Sequence, residues 1–315
     1  MAPHTRSLTK PLIIGDVADE HVAAVVEQLD KRALSATIVD TAKLETGSYR
    51  VVDSWAEIDG DIIDFRQPRK GWIRRLAPPH WRRRTQGATE EAAVRSAWSS
   101  LLVGFAGEAS VQWLTTIERL FFLENKLLQL RIAERLDIRT PRSAVVPDQE
   151  LIPDELGDDL VVKPLGVGHF TGSDDVEMVV YAKVLQRGAP ELSHLAPAPF
   201  LIQERLNAES HLRVVTVNQR AWACELEADG LPLDWRKDED AHHSFVPTHH
   251  TSLEFSALAI AEAAQLGYSS QDWIVQGGEP YFVDLNPAGQ WLFLPEPVAS
   301  EVSAEIAVWL TSPVE

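Results

Sequence analysis

Residues 271–291, QDWIVQGGEPYFVDLNPAGQW, constrain the fold most tightly, because two alternating runs flank a glycine pair and one hairpin register suits both of their faces. If Gly277, Gly278 and Glu279 form a three-residue loop, Gln276 pairs with Pro280 and Asp272 falls opposite Asp284. Alternation adds Asn286 to that face and gives the other to Trp273, Val275, Tyr281, Val283 and Leu285, an apolar surface suited to a core. A two-residue loop would set the aspartates on opposite faces and force one into that core, at a cost of several kcal/mol. Two carboxylates and an amide oxygen on one face are hard ligands suited to Mg²⁺ that also holds phosphate. A plain polar outer face has the same spacing, so a metal role for Asp272, Asp284 and Asn286 needs companions elsewhere in the chain.

Metal-held phosphate needs cationic donors. The chain offers Lys126 at the start of an amphipathic helix, Lys163 at the end of the strand LVVKP, and Arg213 within HLRVV. Lys163 carries the most weight, since it follows Leu160, Val161 and Val162, and a lysine in a buried strand needs a partner. The following PLGVGHFTG, with Gly166, Gly168 and Gly172, suits either a backbone cradle over phosphate or a plain turn. In FLIQERL an apolar strand runs into Gln203 and Glu204, which either face an adenine amino group or ribose hydroxyls, or mark where the strand reaches solvent. Arg236, in DWRKD, is either a surface ion pair or a fork for a substrate carboxylate. The histidines of DEDAHHSFVPTHH, residues 238–250, read as a polar loop that is mobile or contacts peptide rather than as a metal site. Trp222 and Trp235 read as packing residues.

Along the chain, PLIIGDVADEHVAAVVEQLDKRALSATIVD predicts a buried strand, a helix and a second strand. This βαβ opening is Rossmann-like but lacks a GxGxxG turn, so nothing in it supports dinucleotide binding. A short strand is expected at Asp61–Phe65, mostly helix over residues 89–122, and an amphipathic helix at Glu124–Leu136 stopped by Asp137 and Pro141. From residue 143 short strands follow, SAVV, LVVKP, EMVVY, FLIQERL, HLRVVTV and RAWACEL, forming a mainly antiparallel section. Helices are expected at Leu253–Leu266 and Ala299–Leu310.

With 29 Lys and Arg against 47 Asp and Glu, the net charge of −18 opposes any general affinity for nucleic acid or anionic membrane. No apolar run approaches the ~20 residues of a membrane helix. The start has no secretory signal, and the lone Cys224 suits a reducing cytoplasm. One stretch runs against the overall charge: Arg66, Arg69, Lys70, Arg74, Arg75, Arg82, Arg83 and Arg84 cluster around Trp72 and Trp81. It is either a site for one anionic partner or a solvated loop balancing nearby acids.

In order and spacing, ENKLLQLRIAERL followed by TP, VVKP, LIQERL, HLRV, DWR and VDLNPAGQWLF resemble the ATP-grasp superfamily, and within it the graspetide (microviridin-type) peptide ligases. The resemblance spans most of the chain, GWIRRLAPP included; NKLLQLRIA, DWR and NPAGQW are its most specific pieces. It implies an α/β and α+β ATP-grasp fold: an N-terminal Rossmann-like domain with helical connector (1–122), a central subdomain (123–205), and a C-terminal subdomain with a metal-binding hairpin (206–315). It further implies that Lys126 and Lys163 contact ATP phosphates, Gln203 and Glu204 lie at the adenine, and Arg213 neutralises the transferring group. Asp272, Asp284 and Asn286 would hold Mg²⁺, and Arg236 would orient an acidic side chain of a precursor peptide. The implied reaction activates that carboxylate as an acyl phosphate and joins it to a hydroxyl or amine, in a cytoplasmic homodimer, with the GVGHFTG segment closing over the site. Two departures stand out. Asp284 replaces the usual glutamate, and His211 stands where an acid is common, with Glu209 near enough to compensate at the ribose. A ligase adding an amino acid or amine to a protein tail or small metabolite is the competing activity, and a regulatory nucleotide-binding protein the competing class.

Overall fold

Strand β1 (Leu12–Gly15), helix α1 (Glu20–Asp30) and strand β2 (Thr37–Asp40) realise the expected βαβ opening. All four residues of β1 are buried, as befits a parallel strand covered on both faces. This is a computed structural model, and it describes residues 9–77, 89–165, 169–171, 177–179, 182–195, 198–238 and 240–314. A small antiparallel sheet follows, β3 (Tyr49–Val52), β4 (Trp55–Ile58) and β5 (Asp61–Asp64). Then come β6 (Arg69–Ile73), helix α2 (Glu90–Ala106) and β7 (Val111–Trp113), which complete a parallel sheet of order β2-β1-β6-β7.

Strands β3, β4, β6 and β7 depart from the sequence expectation. The basic stretch is only partly a surface run over its described residues: Arg66 is exposed and Arg75 partly so, but Arg69, Lys70 and Arg74 are buried. Arg69 donates to the carbonyls of Lys10 and Asp64, and Lys70 lies over the Trp309 ring at 4.3 Å. Long cationic side chains here run through the fold and end on carbonyls or an aromatic face, which a charge count cannot distinguish from a solvated run. Trp81 and Arg82–Arg84 lie outside the described residues.

Helices α3 (Ile117–Phe122) and α4 (Lys126–Arg135) connect to a second sheet. Its strands are β8 (Ser143–Val146), β9 (Asp159–Pro164), β12 (Lys183–Gln186) and β13 (Phe200–Glu204), ordered β12-β9-β13-β8 and antiparallel throughout. Between β9 and β12 the hairpin of β10 (His169–Thr171) and β11 (Glu177–Val179) branches off; helix α5 (Pro190–Ser193) precedes β13. Gly166, Gly168 and Gly172 of the glycine-rich segment fall outside the described residues.

The third sheet contains β14 (Ser210–Val217), β15 (Arg220–Glu227) and β16 (Val246–Thr248), then, after helix α6 (Thr251–Ala264), β17 (Tyr268–Gln276) and β18 (Glu279–Asn286). Helix α7 (Val298–Thr311) closes the chain and packs on α1, so Val22, Val25 and Leu29 share a core with Val302, Ile306 and Leu310. Burying each such side chain stabilises by about 1.5–3 kcal/mol, enough for this contact to tie the first and last elements together.

The β17–β18 hairpin corrects one expectation while keeping its consequence. Gln276 pairs with Glu279, so the loop has two residues, Gly277 and Gly278, both at positive φ (62° and 73°) as a type I′ turn requires. Asp272 nevertheless stands opposite Asp284, because the register shifts beside Asp272 and Val283 is left as the extra residue of a bulge. Phe282, fully buried, therefore packs with Trp273, while Tyr281 and Val283, expected in the core, stay partly exposed.

Candidate active site

Register places Arg213 of β14 beside Asp272 of β17, and Asp272 beside Asp284 of β18, in one row across the sheet. Each carboxylate is met by a cation. Arg213 Nη1 donates to Asp272 Oδ1 at 2.6 Å, and Lys126 Nζ lies 2.7 and 2.8 Å from the two Asp284 oxygens. Burial pushes the Asp284 carboxyl upward, but Lys126, Lys163 and Arg236 outweigh it and hold it below its ordinary value.

Lys126 reaches Asp284 because α4 is fixed at its start. Asn125 caps the helix, accepting from Leu127 N and Leu128 N. One turn on, the buried Gln129 donates to the carbonyls of Leu123 and Leu285 and accepts from Leu285 N, riveting α4 to β18 beside the carboxylate. Its signal was visible in NKLLQLRIA as the lone amide among apolar neighbours on that helix.

Asp272, Asp284 and Asn286 border a cleft of about 370 Å³ together with Lys126, Lys163, Gln203, Glu204 and Arg236. Its walls come from β9 and β13 on one side and from β14, β17 and β18 on the other. Lys163 enters from β9 and forms no ion pair among the described residues, against the expectation of a partner. Burial pushes its pKa down to about 8, partly opposed by Asp284 and Asp272. Arg213 does not line the cleft; it braces Asp272 from beneath, with its guanidinium 5.5 Å from the Phe293 ring.

Other assigned groups are partly committed to protein partners. The Glu204 carboxylate accepts from Arg142 N and Nε, and the Gln203 amide donates to Ser143 Oγ. Asn286 Oδ1 accepts from Ala288 N, which shapes the loop after β18. Arg236 gives Nε and Nη2 to the buried Asp234 at 2.7 Å each, which raises the Arg236 pKa. Trp235 between them sits in a ring cluster with His242, Phe245 and Phe293, so the turn carrying Arg236 is anchored. Glu209 does not line the cleft, and its two oxygens accept from Gly277 N and Gly278 N at the hairpin turn.

Asp234 and Glu124 also border the cleft without having been singled out for it, as does His211, noted above where an acid is common. His211 lies on the Arg213 face of β14 and is 8% exposed, and burial lowers its pKa against the pull of Asp272 and Asp234. Beneath the loop after Asn286, Arg74 donates to the carbonyls of Ala288 and Gly289, and His21 Nε2 accepts from Trp291 N. Among the described residues no three His, Cys, Asp or Glu side chains form a metal cage. A carboxylate pair with an amide oxygen fits an ion that also takes phosphate ligands.

Scans of the sequence against protein-family models and curated proteins return no match. Solved structures do match. A RiPP-associated ATP-grasp ligase of Chryseobacterium gregarium, in complex with ADP and a leader and core peptide, is 23% identical over 97% of this chain and 98% of that one, with a TM-score of 0.82. The macrocyclase MdnC of Microcystis aeruginosa MRC, bound with precursor peptide MdnA, is 21% identical over 96% and 99%, with a TM-score of 0.80. The ATP-grasp ligase PsnB, complexed with minimal precursor, Mg and ADP, is 17% identical over 96% and 98%, with a TM-score of 0.74.

The chain has the ATP-grasp fold. Its cleft lies between the β9–β13 sheet and the β14–β17–β18 sheet and is lined by Asp272, Asp284 and Lys126, with Arg213 behind Asp272. No helix among the described residues is long and apolar enough to cross a membrane.

Proposed function

We propose that this chain is an ADP-forming ligase that joins carboxylate side chains of a ribosomally made precursor peptide to hydroxyl or amine side chains of the same peptide. The observation that carries this is the opposed pair Asp272 and Asp284, each met by a cation, in a cleft that also receives Lys163. Coverage of nearly the full length of ligases whose structures hold leader, core or precursor peptides supports a peptide substrate. The division at residues 122 and 205 goes with this assignment, each segment contributing one principal sheet.

Asp272, Asp284 and Asn286 would hold Mg²⁺, which when bound neutralises charge on phosphate oxygens. Lys163 and Lys126 offer ammonium groups to the phosphates of ATP, and Gln203 with the main chain at Glu204 borders the adenine end. Arg236, with Nε and Nη2 fixed by Asp234, turns Nη1 to the carboxylate of an acidic core residue. That carboxylate attacks the terminal phosphoryl group and ADP leaves; a hydroxyl or amine then attacks the acyl phosphate, and phosphate departs as the ester or amide forms. Arg213 keeps Asp272 in place as charge shifts. The protein acts as a cytoplasmic homodimer, as the resemblance implies.

Intact-mass measurement of short precursors encoded beside this protein, after incubation with ATP and Mg²⁺, tests the proposal. Loss of one water per bond, abolished by Asp284→Ala, is the expected result. A peptide of unchanged or increased mass while ADP still forms would overturn the crosslinking assignment in favour of an amino-acid or small-molecule ligase.

A further inference from the structure

Lys126 and Arg213 both neutralise an aspartate of the cleft, but they are held differently. Arg213 has a second attachment, to Gln290 O at 3.4 Å, and lies beside Phe293. Lys126 has Asp284 as its only side-chain partner among the described residues, and its ammonium faces both carboxylate oxygens. Its backbone is fixed by the Asn125 cap and the Gln129 rivet, whereas a four-carbon stem is free to swing its charge elsewhere.

The charge balance around the pair also matters. With Arg236 set against Asp234, the carboxylates of Asp272 and Asp284 face Lys126, Lys163 and Arg213, and the Glu124 carboxylate borders the same cleft near Lys126. A bare divalent cation approaching Asp284 would have to displace an ammonium from both oxygens it needs. Nucleotide phosphates offer the ammonium a competing partner, because they supply negative charge that Lys126 and Lys163 would then neutralise.

We propose that Lys126 is a resident counter-ion that closes Asp284 to a free divalent cation and releases it when nucleotide phosphates draw the ammonium away, so that metal enters with the nucleotide and not before it. This rests on the cleft being a magnesium–nucleotide site. It adds an order of binding, and it assigns Lys126 a role at Asp284 besides that at phosphate.

The test uses the full-length protein and Mn²⁺ as a stand-in for Mg²⁺, with free Mn²⁺ read by electron paramagnetic resonance, with and without ADP. Wild type is expected to bind Mn²⁺ weakly alone and at least about tenfold more tightly with ADP. Lys126→Met and Lys126→Gln, in preparations that melt as the wild type does, are expected to bind Mn²⁺ alone about tenfold more tightly than wild type and to gain less from ADP. If both variants bind Mn²⁺ alone no better than wild type, while ADP still promotes binding to wild type, the counter-ion role is overturned and the magnesium–nucleotide site stands. If no protein binds Mn²⁺ under either condition, the site assignment itself falls, and this proposal with it.

Discussion

Arg74 donates to the carbonyl oxygen of Ala288 at 2.6 Å, 214 residues further along the chain. Through this bond the end of β6 holds the loop that follows Asp284 and Asn286. Asp19 braces the guanidinium at 3.2 Å and also accepts from His21, whose other ring nitrogen receives the Trp291 N–H. The loop that follows the proposed metal ligands is thus positioned from the N-terminal sheet as well as by its own hairpin.

Arg74→Ala is therefore expected to cost roughly 1–3 kcal/mol of stability, because the Ala288 and Gly289 carbonyls lose their donor while Asp19 keeps Arg75 at 3.3 Å. Arg74→Lys keeps a charge but not a fork able to serve Asp19 and two carbonyls at once. It is expected to fold and to need more Mg²⁺ for half-maximal ADP formation, with a smaller change in the saturated rate. Urea titration and Mg²⁺-dependence of ADP release check the two variants.

Lys163 gives a pH dependence with a definite sign. Burial lowers its pKa to about 8, so the ammonium is charged below that pH and lost above it. Nucleotide affinity of the free protein is expected to fall as pH rises through about 8. Lys163→Arg, whose guanidinium keeps its proton, is expected to flatten that fall. Titration of ADP binding across this pH range decides it, and equal slopes in the two proteins would remove Lys163 from the phosphate site.

His21 gives a stability dependence of its own. Its pKa is lowered, chiefly by burial, with Asp19 opposing and Arg74 and Arg75 adding to the effect. The unfolded chain then binds a proton that the folded state refuses, in the window between the lowered value and the ordinary value of about 6.5. Stability is lost as pH falls through that window. Comparing urea midpoints at about pH 7.5 and about pH 5.5, wild type is expected to lose more than His21→Gln, which can accept from Trp291 N at either pH.

Much of the site was legible because strand parity leaves little freedom. Any arrangement that puts Asp272 and Asp284 on one face, with Trp273 and Leu285 on the other, must absorb one unpaired residue between them. The sequence does not say where. A three-residue loop and a two-residue loop with a bulge at Val283 satisfy the same parity, and the paired positive φ values of Gly277 and Gly278 select the second. Lys163 could be picked out as a charge ending an apolar strand, and Lys126 by its place at the start of an amphipathic helix. The bracing of the site could not. Arg74, Asp19 and His21 meet the 288–291 loop only after two distant segments fold together, and in the sequence Arg74 is one arginine in a basic run. The fate of Glu209 was hidden likewise, since only the turn geometry shows that two backbone N–H groups take its carboxylate.

Gly289 tests whether the loop after Asn286 must pass as close to β17 as it does. A Cβ built on Gly289 would lie 2.5 Å from Ser270 Cβ and 3.3 Å from Asn286 Cβ, so alanine forces the loop away from the strand or pushes Asn286 aside. Overpacking of this kind costs about 1–3 kcal/mol. The direction of relief matters more for function than the cost, because the Gly289 carbonyl is held by Arg74 and by the Tyr268 hydroxyl at 2.9 Å. With the carbonyl fixed, the displacement is passed back toward Asn286. Gly289→Ala is therefore expected to remain folded at room temperature, with a lowered melting temperature, and to lose Mn²⁺ binding in the presence of ADP while ADP binding without metal is retained. Calorimetric titration of each ligand separates the two effects. Unchanged Mn²⁺ affinity in a folded Gly289→Ala protein would show that Asn286 is not a ligand of the metal.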